Sequence, residues 1–156
     1  MQIIEGRPVY SATDLVGFLA CNHLTDLERA RQLGLVRKPE RKDPELEIII
    51  KRGFEHEREY IGRLRSQGRT VHDISRERPV AMDRGAFFRE QAQASREAIG
   101  RGDDVIFQAC FFDGTWLGFA DFLLRVADPA APLGWSYEVA DTKLARSVKA
   151  GALLQI

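Results

Sequence analysis

Asp121, Asp141 and Lys143 are the residues whose types and spacing could do chemistry in this chain. They sit in two apolar runs, Gly118-Phe-Ala-Asp121-Phe-Leu-Leu-Arg-Val126 and Trp135-Ser-Tyr-Glu-Val-Ala-Asp141-Thr-Lys143. Both runs read as β-strands, and each carries an acid where a buried strand should have none. Side chains two apart on a strand share a face. Tyr137, Val139, Asp141 and Lys143 are therefore expected on one face, with Ser136, Glu138, Ala140 and Thr142 on the other. Asp141 and Lys143 become neighbours, about 7 Å apart along the backbone. If the two runs pair as a hairpin, Asp121 comes beside Asp141. Two carboxylates in a half-buried place repel each other, and a divalent cation relieves that repulsion. The same spacing also suits a plain ion pair between Asp141 and Lys143 at a strand end, and spacing alone leaves that alternative open. Glu138 competes with Asp141, but parity sets it opposite Lys143 unless a bulge intervenes.

Gly118-x-x-Asp121 followed by Asp141-x-Lys143 resembles the second and third motifs of the PD-(D/E)xK nucleases, in particular the RecB-like branch. Gly53-Phe-Glu-His56 resembles the Gly-x-x-His helix motif of that branch, and Gln155 stands where its Gln-x-x-x-Tyr motif begins. Tyr10-Ser-Ala-Thr-Asp-Leu and Cys21-Asn-His-Leu-Thr-Asp-Leu-Glu28 resemble the opening of a bacterial group of predicted RecB-like nucleases, related to the CRISPR-associated iron–sulfur exonucleases. The chain stops at Ile156, before the Tyr of the Gln motif, so it is expected to be a truncation or one part of a longer chain.

The resemblance implies a restriction-endonuclease-like core and metal-dependent hydrolysis of DNA, at ends or on single strands, in repair, recombination or defence. Asp121 and Asp141 would hold Mg²⁺ or Mn²⁺, with the main-chain carbonyl of Thr142 as a third ligand. His56 would add a nitrogen and favour Mn²⁺; the alternative for His56 is a hydrogen-bonded core histidine. Lys143 would orient the attacking water and offset transition-state charge, and Gln155 would position water or substrate. Arg52, Arg146 and Lys149 are the candidate nucleic-acid contacts. Cys21 is the candidate iron–sulfur ligand, because related nucleases join one N-terminal cysteine to three beyond the nuclease motifs. Those three would lie past Ile156, and the alternative for Cys21 is a buried thiol. A non-catalytic nucleic-acid-binding or scaffolding module of a larger helicase or nuclease protein is the rival function.

The elements that must position these residues can be read in order. Ser11 is a good N-cap for a first helix and Asp14 suits its third position. Leu15, Phe18, Leu19, Leu24 and Leu27 follow at helical spacings, and His23 falls near that apolar face as a structural histidine. Gly34 ends this region, and the charged segment 37–44 with its two prolines reads as a loop. Pro44 opens a helix running to about Ser66. Ile49, His56, Tyr60 and Leu64 share one of its faces, which turns His56 toward the core. Gln67-Gly68 breaks it, and Thr70–Ile74 is a short strand candidate with His72 exposed.

A further helix runs from Asp83 to about Gly100, packing Phe88, Ala92 and Ile99 on a sheet, with Gly100 and Gly102 ending it. Three strands follow as a meander: Val105–Phe112, an Asp113-Gly114 turn, Trp116–Val126, a turn over 128–134, and Trp135–Lys143. A last helix is expected from about Leu144, turning Gln155 toward the site. The fold class is α/β: an N-terminal helical region over 1–66 and a nuclease core over 83–156, in one domain.

Composition narrows the function classes. With 156 residues the chain can bury roughly 70% of its unfolded surface in one domain. Lys+Arg and Asp+Glu both number 23, so the global basic excess that advertises a nucleic-acid partner is absent. Local basic clusters survive at 37–42, at Lys51-Arg52, and at Arg146 with Lys149. No apolar run reaches the length of a membrane span and the N-terminus does not read as a signal peptide, which points to the cytoplasm. Cys21 and Cys110 have no Cys-x-x-Cys spacing, and Cys110 reads as a small core residue. A helix cut at Gln155 would leave sheet uncovered, so self-association is expected to be accessible.

Overall fold

The computed structural model describes residues 1–39 and 43–142. Its organising element is a four-stranded sheet in the order β3-β4-β5-β6. Strands β4 (Val105–Phe112), β5 (Leu117–Ala127) and β6 (Trp135–Ala140) form the antiparallel meander, with Val105 opposite Leu124 and Leu123 opposite Val139. The first turn forms because the Asp113 carboxylate accepts from the backbone N–H of Thr115 and of Trp116, each at 2.7 Å. Gly114 supplies the positive φ that this turn requires, +93°.

Strand β3 (Val71–Asp73) lies parallel to β4 on the other side. Parallel neighbours need a crossover, and α4 (Arg84–Arg101) provides it. Asp83 caps its start by accepting from Ala86 N–H at 2.9 Å. Gly102, at φ +73°, ends it in the left-handed conformation, and a Cβ there would come within 3.1 Å of the Trp135 ring.

Among the described residues, α4 packs on one face of the sheet and the C-terminal turns of α3 (Pro44–Ser66) on the other. Ala98 of α4 joins Ile74, Ile106, Ala109, Ala120 and Leu123, while Phe88 and Ala92 pack with Cys110 and Leu117. On the other face Leu64, Tyr60 and Ile61 of α3 meet Val105, Phe107, Phe122 and Ala140. Tyr60 sits edge-on to Phe122 at 4.8 Å between ring centroids. Phe122 is fully buried, which contributes about 2–3 kcal/mol over an exposed position. The chain is therefore α/β, with the start and end of α3 where Pro44 and Gln67-Gly68 put them.

Several expectations need correction. The N-terminal region is not wholly helical: it opens with a hairpin of β1 (Gln2–Ile4) and β2 (Arg7–Val9). Glu5 and Gly6, both at positive φ (50° and 75°), make its two-residue turn. The first helix is two, α1 (Ala12–Ala20) and α2 (Asn22–Gln32), because Cys21 is extended (φ −167°, ψ 113°). That break destroys the helical phase between Leu19 and His23, and His23 is exposed. Ile49 is also exposed, since α3 reaches the sheet only with its C-terminal turns. Gly100 lies inside α4, and Gly102 alone ends it. Strand β6 stops at Ala140, so Asp141 and Thr142 follow the strand instead of belonging to it. The expected helix from about Leu144 lies outside the described residues.

Candidate metal-binding cleft

The site is built where the two central strands reach the end of their pairing. Phe122 and Ala140 are the last paired residues of β5 and β6 on this side, and Asp121 and Asp141 are one step beyond them. Both acids are half-buried and line one cleft of about 360 Å³. Gly118 lies in its floor, and a Cβ on Gly118 would meet nothing within 4 Å, so the glycine widens the cleft without serving internal packing. Ser11 and Thr13, from the start of α1, and Gln2, from β1, form the opposite wall.

That wall is held by local chemistry. The Asp14 carboxylate accepts from the Ser11 N–H and from the Ser11 hydroxyl, both at 2.7 Å, and pairs with the N-terminal amine of Met1. Burial pushes the Asp14 carboxyl up, but the donors of the N-terminal amine and Ser11 outweigh it and hold it below its ordinary range. The Gln2 Oε1 and Thr142 Oγ1 atoms are buried without a hydrogen-bond partner among the described residues. Gln2 was not marked by any motif, and a polar residue inside a three-residue strand carries no sequence signal of its own.

Gln108 is the second residue that sequence reasoning missed. Its side-chain Nε2 donates to Asp121 Oδ1 at 3.2 Å. It stands in mid-strand at φ +57°, a conformation that costs a non-glycine residue on the order of 1–3 kcal/mol. The only sequence signal was one amide inside the apolar run Val-Ile-Phe-Gln-Ala-Cys-Phe-Phe.

The other candidate residues distribute as follows. Glu138 is exposed and opposite Leu124, outside the cleft, as the parity argument required. His56 is half-buried on α3 and does not line the cleft. Among the described residues, no three His, Cys, Asp or Glu side chains converge to hold a metal ion. Arg52 is exposed on α3. Cys21 is exposed, so its alternative as a buried thiol is overturned: the break between α1 and α2 turns it outward. Cys110 is buried, and burial pushes its thiol up to about 11. Lys143, Arg146, Lys149 and Gln155 lie outside the described residues.

A larger groove of about 540 Å³ lies between α1, α2 and Trp116. Its acidic groups are already engaged, Asp14 with the N-terminus and Glu28 with Arg31, and Lys38 is the other charged residue in its lining. It therefore offers less chemistry than the smaller cleft.

A carboxylate on β5 and one just past the end of β6, lining one cleft, fit a hard cation such as Mg²⁺, which binds through one or two carboxylates and completes its shell with water. No helix among the described residues is long and apolar enough to cross a membrane. Compared with models of known protein families, with curated proteins and with solved structures, the chain matches none.

Proposed function

We propose that this cleft is the site of a divalent-metal-dependent nuclease of the RecB-like type, hydrolysing phosphodiester bonds of DNA at ends or on single strands. The observation that carries the reading is the placement of Asp121 and Asp141 in one cleft at the end of the β5–β6 pairing. Two carboxylates that line one half-buried cleft are hard oxygen donors of the kind a divalent cation takes up. When bound, such an ion supplies positive charge that polarises the phosphoryl group and acidifies a water.

The chain's own residues do the rest. Asp121 and Asp141 hold the ion at the cleft end, and Gly118 leaves room in the floor for a phosphate. The start of α1, where Ala12 and Thr13 line the cleft, adds a favourable field for an anion. Lys143, two residues beyond Asp141 in sequence, is proposed to orient the attacking water and offset the charge of the transition state. Gln155 is proposed to assist in positioning, and Arg52, Arg146 and Lys149 to meet the DNA backbone.

The test is cleavage of end-labelled single- and double-stranded DNA in Mn²⁺, Mg²⁺ or EDTA. Asp141→Ala is expected to abolish metal-dependent cutting, a loss of 10³-fold or more, while Glu138→Ala retains most of it. The reverse ranking would reject this register. A second reading, a non-catalytic module, is favoured by the equal numbers of acidic and basic residues and by the exposed apolar residues Leu46, Ile48, Ile49, Ile50 and Phe54 on α3. It expects DNA binding without cutting, insensitive to Asp141→Ala.

A further inference from the structure

The β4–β5 ladder runs through every residue from Val105 to Phe112 except one, and that one is Gln108. Continuing the register across the gap sets Gln108 opposite Asp121. So the single rung missing from the centre of the sheet is the rung that contains the proposed metal ligand.

Close to this distortion the strand is tied to α4. Cys110 donates its backbone N–H to Ser95 Oγ of α4 at 2.8 Å, and the Ser95 hydroxyl donates to Gln91 O at 3.0 Å. Ser95 is fully buried. The Ser95 hydroxyl thus satisfies a buried backbone N–H two residues beyond Gln108 and ties β4 to α4 there. Strained backbone persists only where its surroundings over-determine it, and here the outcome is an amide donor set against one oxygen of Asp121 at 3.2 Å.

We propose that Gln108 is a positioning residue for the metal site: its side-chain amide, donating to Asp121 Oδ1, fixes the orientation of the carboxylate that would hold the cation. The inference rests on the metal-site reading above. A donor that orients a ligating carboxylate is typically responsible for about 10- to 100-fold in metal affinity. Gln108 itself touches neither ion nor DNA in this account.

The experiment is Mn²⁺ titration by calorimetry, together with thermal unfolding of the metal-free protein, on wild type, Gln108→Gly and Gln108→Leu. Glycine accepts the positive φ and removes the amide; leucine keeps the bulk and removes the donor. The expected result is an Mn²⁺ Kd raised about tenfold or more in both, with the Tm of Gln108→Gly equal to or above wild type. A purely structural Gln108 would instead lower Tm and leave Kd unchanged, which would overturn the positioning role alone. Failure of wild type itself to bind Mn²⁺ would overturn the metal site and the positioning role together. Should Gln108→Leu fail to fold, Gln108→Gly still separates these outcomes.

Discussion

The two helices that cover the sheet differ in how they are held. α4 has 18 residues and buries seven of them, including Phe87, Phe88, Ala92 and Ala98. α3 has 23 residues and buries only Leu64. Its first half carries Leu46, Ile48, Ile49, Ile50 and Phe54 at half exposure or more, while its last turns rest on Phe122 and Val105. α4 is thus part of the core, and its Ser95 reaches into the strand that supports the candidate site. α3 is attached at one end, with His56 lying between its exposed half and its anchored half. The difference teaches that the densely packed part of the molecule is α4 with β4 and β5, which is where Asp121 and Gln108 are found.

The sharpest way to break this comparison is to empty the anchored side. Phe122→Ala is expected to destabilise the protein by about 3–5 kcal/mol in urea unfolding, since it removes the ring that meets Tyr60 and Phe107. Ser95→Ala comes next: it leaves the buried Cys110 N–H without its acceptor, at about 1–3 kcal/mol. Ile49→Ser, in the exposed half of α3, should lie within about 0.5 kcal/mol of wild type. An Ile49 cost comparable to that of Phe122 would mean that this half of α3 is buried against something in solution.

The two cysteines repeat the contrast in chemical form. At pH 8 a thiol reagent should modify exposed Cys21 quickly and Cys110 only after unfolding. The buried Cys110 favours its neutral form, so its contribution to stability is fully present below the ordinary thiol value of 9.0 and is lost as pH rises from there through about 11.

How far the sequence reached can be seen element by element. The bounds of α3 were legible because Asp43-Pro44 and Gln67-Gly68 are local signals that need no tertiary context. The same is true of the Asp113-Gly114 turn and the meander it starts. The break at Cys21 was not legible, because Ala20-Cys21-Asn22 contains neither Gly nor Pro and the break is visible only in the backbone. The β1–β2 hairpin was hidden by strands of three residues, too short for alternation to show. That β3 pairs with β4 depends on a crossover through α4, a contact across some thirty residues that no local pattern announces. At the site, the neighbourhood of Asp121 and Asp141 followed from strand parity and a hairpin. Gln108 did not, because its place beside Asp121 goes with a positive φ in mid-strand that no local sequence pattern announces.

The central claim is that Asp121 and Asp141 together hold a divalent ion. Crystals grown with Mn²⁺ and measured at a wavelength where manganese scatters anomalously test it most directly. The account expects one strong anomalous peak within ligand distance of both carboxylates, lost in Asp121→Asn. No peak in the cleft, or a peak that survives in Asp121→Asn, would contradict it.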